Sequence, residues 1–165
     1  MIMLMKMRMK KIAYFIIGIA AGILLSLGEK TQAARPIQIQ AAPDTLTDWQ
    51  MLQLAIIMTE SKGNPDARGA AQDMGLYQMR PIYIAEVNRV SGSHFSNEDA
   101  FVPAKAVEMF NLLQMVYNPQ KDTDRALYYH NKSKDYKNRV LRTLEIVQRY
   151  EAARKAVIEN GNWER

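Results

Sequence analysis

Between residues 48 and 158 apolar positions recur at spacings of three and four, the period of helices that bury one face. The clearest stripe is Trp49, Leu52 and Ile56, and Glu60 falls four residues further along it, so a carboxylate extends an apolar face. The pattern predicts a first helix over 48–62, N-capped by Thr47 and stopped by Gly63 and the Asn64-Pro65 pair. Residues 64–79, punctuated by Pro65, Gly69 and Gly75, read as a loop or a short hairpin. Pro81 opens a second helix to about residue 90, where Ser91-Gly92 stops it. Ser96 to Asp99 has the form of a capping box before a short turn of helix. A third helix is expected over 103–117, with Val107, Phe110, Leu113 and Tyr117 on one stripe and Asn118-Pro119 at its end. Two more follow over 122–130 and 136–158, the last with Tyr136, Val140, Leu144 and Val147 in register. The expected fold is therefore an all-α or α-rich α+β single domain with one glycine-punctuated loop or small hairpin.

Glu60 stands out because it sits in the last turn of a largely apolar helix. Burial and the negative end of the helix dipole both disfavour an ionised carboxylate, and an acid kept protonated near neutral pH can donate to a leaving group. Two plainer readings compete: the side chain reaches solvent past the helix end, or it pairs with a base such as Arg68.

Charge changes the picture less than it first suggests. The formal net charge is +5, but Lys6, Arg8, Lys10, Lys11 and Lys30 against Glu29 supply +4 of it. From Ala34 onward the chain is nearly balanced, so nothing points to a nucleic-acid partner. The basic residues 6–11 instead precede an uncharged apolar run over 12–27, followed by Ala33 and Ala34, which is the pattern of an export signal. Residues 1–33 are thus expected to be a signal peptide cleaved after Ala33, or an N-terminal anchor if uncleaved. Cleavage is the preferred reading, because Gly18 and Gly22 interrupt a run near the lower limit of the about 17–25 residues that span a bilayer. Residues 34–43, with two prolines and no helical period, read as a linker. The folded domain is expected over 44–160 and a tail over 161–165. With no cysteine, neither disulfides nor thiolate metal ligands contribute. His94 and His130 lack helical ligand spacing, and no metal or other cofactor is expected.

Glu60-Ser61, then Asn64-Pro65-x-Ala67, then Gly75-Leu76-Tyr77-Gln78, with Pro81 closing the segment, resembles the catalytic segment of soluble-lytic-transglycosylase domains, lysozyme-like enzymes that cut peptidoglycan. Ala126 to Asn131 resembles the family's later A-x-x-x-Y-N segment. The resemblance implies a lysozyme-like domain whose substrate is the glycan strand. It assigns Glu60 as the general acid that protonates the oxygen between N-acetylmuramic acid and N-acetylglucosamine. Ser61 would support the acid or the sugar N-acetyl group, Gly75 would let the backbone approach the glycan, and Gln78 would offer an amide to a sugar. Leu76, Tyr77, Tyr129, His130 and Asn131 join them as substrate-binding candidates. The product implied is a 1,6-anhydro-muramic end.

Two residues depart from that pattern. His130 stands where the family has tyrosine, with Tyr129 one position earlier, and an imidazole can carry charge at mildly acidic pH. Asp73 stands where many of these domains have a small residue. Asp73-x-Gly75-Leu76-x-Gln78 resembles animal-type lysozymes and the specialised transglycosylases of secretion and conjugation machines, which makes such an apparatus an implied partner. Asp73 opens a hydrolytic route beside the anhydro one, with the carboxylate as nucleophile or charge stabiliser, or it caps its own turn. A wall-binding module without turnover is the third reading. An exported protein of the periplasm or cell envelope, tied to the membrane only through an uncleaved leader, is the expected setting. Tyr128-Tyr129 reads as core packing or a sugar-stacking platform, and Lys132, Lys134, Lys137, Arg139 and Arg142 as a solvated face or one that meets anionic wall polymers.

Overall fold

The computed structural model describes residues 45–159. The expected leader, the linker at 34–43 and the tail at 161–165 lie outside the described residues. Among the described residues every regular element is helical: α1 (Asp48–Glu60), α2 (Pro81–Ser91), a 3-10 turn (Asn97–Phe101), α3 (Pro103–Tyr117), α4 (Thr123–His130) and α5 (Lys134–Glu159). The all-α alternative is the one observed. The loop after α1 pairs only through two isolated antiparallel bridges, Arg68 with Met74 and Met74 with Met79, so it is a tight double turn rather than a hairpin.

Local signals set most of the boundaries. Thr47 and Gln50 form a reciprocal capping box at the start of α1. The helix ends at Glu60, two residues before the expected stop, because Lys62 (φ 57) and Gly63 (φ 81) both take the left-handed conformation. Gly92 (φ 70) closes α2 in the same way. Asp122 accepts the Arg125 amide at the start of α4 at 2.8 Å. α5 begins two residues early, with the Ser133 hydroxyl accepting from the Tyr136 amide at 3.4 Å.

The expected single stripe on α1 understates its burial. Every residue from Met51 to Ile57 is buried, so α1 runs through the middle of the molecule rather than along its surface. The side chains from Leu54 to Ile57 leave no polar face, and the one polar residue among the seven, Gln53, donates to Asn111 on α3 at 2.6 Å. α5 packs along α1, α3 packs on α2 and the 3-10 turn, and α4 bridges α3 and α5. The turn between α3 and α4 is held by Asn118, fully buried, which donates to the Asp122 carbonyl and accepts the Asp122 amide. The C-terminal end of α1 is thereby fixed against the double turn, α4 and the start of α5.

Candidate functional site

Glu60 emerges from the core at the end of α1, its side chain 19% exposed. Ser61 follows it, buried, and its hydroxyl donates to the Leu76 carbonyl at 2.9 Å while accepting from the Gly63 amide at 3.2 Å. The end of α1 is thus tied to the double turn by one side chain. Arg68 does not approach Glu60; its guanidinium lies over the Phe101 ring, 4.1 Å from the centroid.

A groove of about 760 Å³ opens in front of Glu60. Of the residues expected at the site, Glu60, Asp73, Gln78, Tyr129, His130 and Asn131 line it. Both amide hydrogens of Gln78 are used inside the double turn, on the carbonyls of Gly75 (2.9 Å) and Ala67 (3.1 Å). Its amide nitrogen is therefore fixed, and what Gln78 can offer a ligand is acceptor oxygen only. Asn131 caps α4, and its side chain accepts the Ser133 amide at 2.9 Å.

Four expected site residues do not line the groove: Ser61, which ties α1 to the double turn, and three more. Leu76 and Tyr77 are fully buried, with Tyr77 stacked on Phe110 at 4.8 Å; they anchor the double turn in the core and offer nothing to a strand in the groove. Gly75 (φ 69) packs against the 3-10 turn rather than facing a glycan, since a Cβ there would lie 1.8 Å from the Ala100 carbonyl oxygen. Tyr128 and Tyr129 are not core either. Tyr128 is exposed, while Tyr129 stacks on Tyr117 at 5.0 Å on the groove wall.

His130 is the inner wall. Its side chain is only 4% exposed, and Nε2 lies 3.3 Å from a Glu60 carboxylate oxygen. Tyr77, Tyr83, Phe110 and Tyr136 surround the imidazole, with ring centroids 5.8–6.2 Å away. Nδ1 is buried without a hydrogen-bond partner. Of the two ring nitrogens, Nε2 faces the carboxylate and Nδ1 lies inside the aromatic shell. Burial, and then the Glu60 charge, push the Tyr136 phenol well above its ordinary value, and burial does the same to Tyr83, so both stay neutral beside the carboxylate.

The second carboxylate is not free. Asp73 Oδ1 accepts from Arg80 Nε at 2.8 Å. A third, Glu86, lines the same groove and had no signal in the one-dimensional pattern. The Arg89 guanidinium, 2.6 Å from its carboxylate, and then the Tyr117 hydroxyl hold the Glu86 carboxyl down at about 2, so it stays charged throughout the neutral and mildly acidic range. Arg80, Tyr83 and Tyr117 are further wall residues that the sequence did not single out for the site; Arg80 enters beside Asp73, and the packing of α2 on α3 brings in the two tyrosines.

The arrangement can donate a proton from Glu60, offer the Gln78 oxygen to a hydroxyl or amide, and present the exposed Ile82 and the Tyr129 ring to a sugar face. The family model of the transglycosylase SLT domain matches residues 37–160. Compared with curated proteins and with solved structures, the chain finds no match in either.

Proposed function

The chain belongs to the transglycosylase SLT-domain family, whose members act on peptidoglycan, and from that premise we propose that it is a lytic transglycosylase with Glu60 as its general acid. The observation that carries the reading is the placement of Glu60: a partly shielded carboxylate at the end of a buried helix, opening onto a groove and flanked by neutral aromatic groups. Glu60 protonates the glycosidic oxygen between N-acetylmuramic acid and N-acetylglucosamine. The C1–O bond breaks, and the muramic C6 hydroxyl closes on C1 to give the 1,6-anhydro sugar. Its proton returns to Glu60, so no water is consumed. The Arg80 contact to Asp73 supports this one-carboxylate route, because a guanidinium-paired carboxylate is a poorer nucleophile and charge stabiliser.

A muramidase is the second reading, favoured by the single fact that Asp73 lines the same groove as Glu60. The leader at 1–33 fits either reading, since the substrate lies outside the cytoplasm. Both are tested by incubating the full chain with purified peptidoglycan and weighing the products. Anhydro-muropeptides, one water lighter than hydrolysis products and missing with Glu60→Gln, are the expected result. Reducing ends that vanish with Asp73→Asn would make the protein a hydrolase. No soluble product, with sacculus binding retained by Glu60→Gln, would leave a wall-binding module.

A further inference from the structure

A second cleft of about 420 Å³ lies against the turn between α4 and α5 and shares Asn131 and Lys132 with the groove, so the two adjoin. Their charge balance differs: in the groove Asp73 pairs with Arg80 and Glu86 with Arg89, whereas the cleft keeps an excess of bases. The groove holds the carboxylates of Glu60, Asp73 and Glu86 against Arg80 and the shared Lys132. The second cleft holds Arg125, Lys132, Lys134 and Lys137 against Asp124 alone, and Lys137 already pairs with Asp124 at 2.8 Å. Arg125, Lys132 and Lys134 stand exposed around the Tyr128 ring, itself 53% exposed, with Lys132 Nζ 5.3 Å from its centroid.

A peptidoglycan strand has the same alternation. Its sugars are uncharged, whereas the peptide stem on each muramic lactyl group carries carboxylates. A groove whose charges are paired off suits the uncharged sugars, and the adjoining basic cleft suits the carboxylates of the stem. We propose that the Arg125–Lys134 cleft is a subsite for the carboxylate-bearing peptide stem of the strand whose sugars occupy the groove, with the Tyr128 face against the stem's aliphatic part. The inference rests on the glycan-cleaving reading of the groove and adds what selects among its substrates.

The test compares intact sacculi with sacculi stripped of stems by an amidase, using the full chain and the Arg125→Glu/Lys134→Glu variant, neither of whose residues lines the groove. Reversing two exposed charges is expected to raise KM on intact sacculi about tenfold with kcat unchanged, and to leave turnover of stripped strands as in the parent. Turnover of the stripped strands also shows that the variant is folded. Binding is read separately in a Glu60→Gln background by co-sedimentation, where the double variant should lose affinity for intact but not for stripped sacculi. Equal affinities of parent and double variant for intact sacculi, or equal losses on both substrates, would overturn the subsite. A parent that binds with stem dependence but yields no product would overturn the glycan-cleaving reading alone.

Discussion

Glu60 and Glu151 are both shielded carboxylates on the packed pair α1 and α5, and they are treated in opposite ways. Glu151, 8% exposed, receives two hydrogen bonds from Arg154 at 2.7 and 2.8 Å and another from the Leu46 amide at 2.7 Å. Its lone pairs are filled, and the Arg154 bonds above all hold its carboxyl below the usual carboxylate range. Glu60 faces one imidazole nitrogen at 3.3 Å, a phenol without a well-formed hydrogen bond, and an open groove. Glu151, which holds the fold, is saturated with donors; Glu60, the proposed acid, is left short of them.

The comparison breaks most visibly at Glu60. Glu60→Gln is expected to cut turnover of peptidoglycan by about 10²–10⁴-fold while shifting Tm by no more than about 3 °C, because the amide keeps the shape and loses no filled hydrogen bond. Glu151→Ala should do the reverse: a stability loss of about 2–3 kcal/mol in denaturant titration, since Arg154 and the Leu46 amide lose their acceptor, with activity per folded molecule unchanged. His130→Phe sharpens the contrast within the site. It removes the nitrogen facing Glu60, for a fall in kcat of about tenfold. It also removes the partnerless Nδ1, so stability holds or rises by about 0.5–1 kcal/mol. Asp73→Asn is the smallest change, altering turnover within about threefold and leaving the product mass the same, as expected for a partly exposed ion pair.

Acid separates the two carboxylates as well. Because the folded-state value of Glu151 is depressed, its contribution is complete above the unfolded carboxylate value of about 4.3 and is lost as pH falls through that value and on through the lower folded one. The Tm difference between the parent and Glu151→Gln should therefore narrow steadily from about pH 6 to about pH 3. A constant difference would mean that the Arg154 pair contributes packing rather than charge.

What could be read in advance follows from the range of each interaction. Thr47, Gly92, Pro103 and Asn118-Pro119 act within a few residues of themselves, and the helices they bound lie where the pattern puts them to within two residues. The all-round burial of α1 is legible in the unbroken apolar run Leu54 to Ile57, which a single stripe through Trp49 and Glu60 does not account for. The family segments brought Glu60, Gln78 and Asn131 to one groove across 71 residues of chain, which no local period can do. They also misplaced Leu76 and Tyr77, because adjacency in a motif says nothing about which way each side chain turns; Phe110 decides that. Glu86 and Tyr83 carry no signal in the sequence and Tyr117 reads only as part of a helical stripe, because their place in the groove depends on the pairing of α2 with α3. Glu86 pairs within its own helix with Arg89, a spacing that reads as an ordinary solvated face.

The seat of Gly75 on Ala100 also limits how this chain can diversify. The double turn touches the backbone of the 3-10 turn rather than a side chain, so no compensating substitution at position 100 could make room for a larger residue at 75. Lengthening within 97–101 would move the backbone on which Gly75 rests and, through the Leu76 carbonyl, strain the Ser61 tie to the end of α1. Tyr128 and Ile82 are exposed, so the walls around them can be rewritten one residue at a time. Drift in such a lineage would therefore change which strands are accepted well before it changed how they are cut.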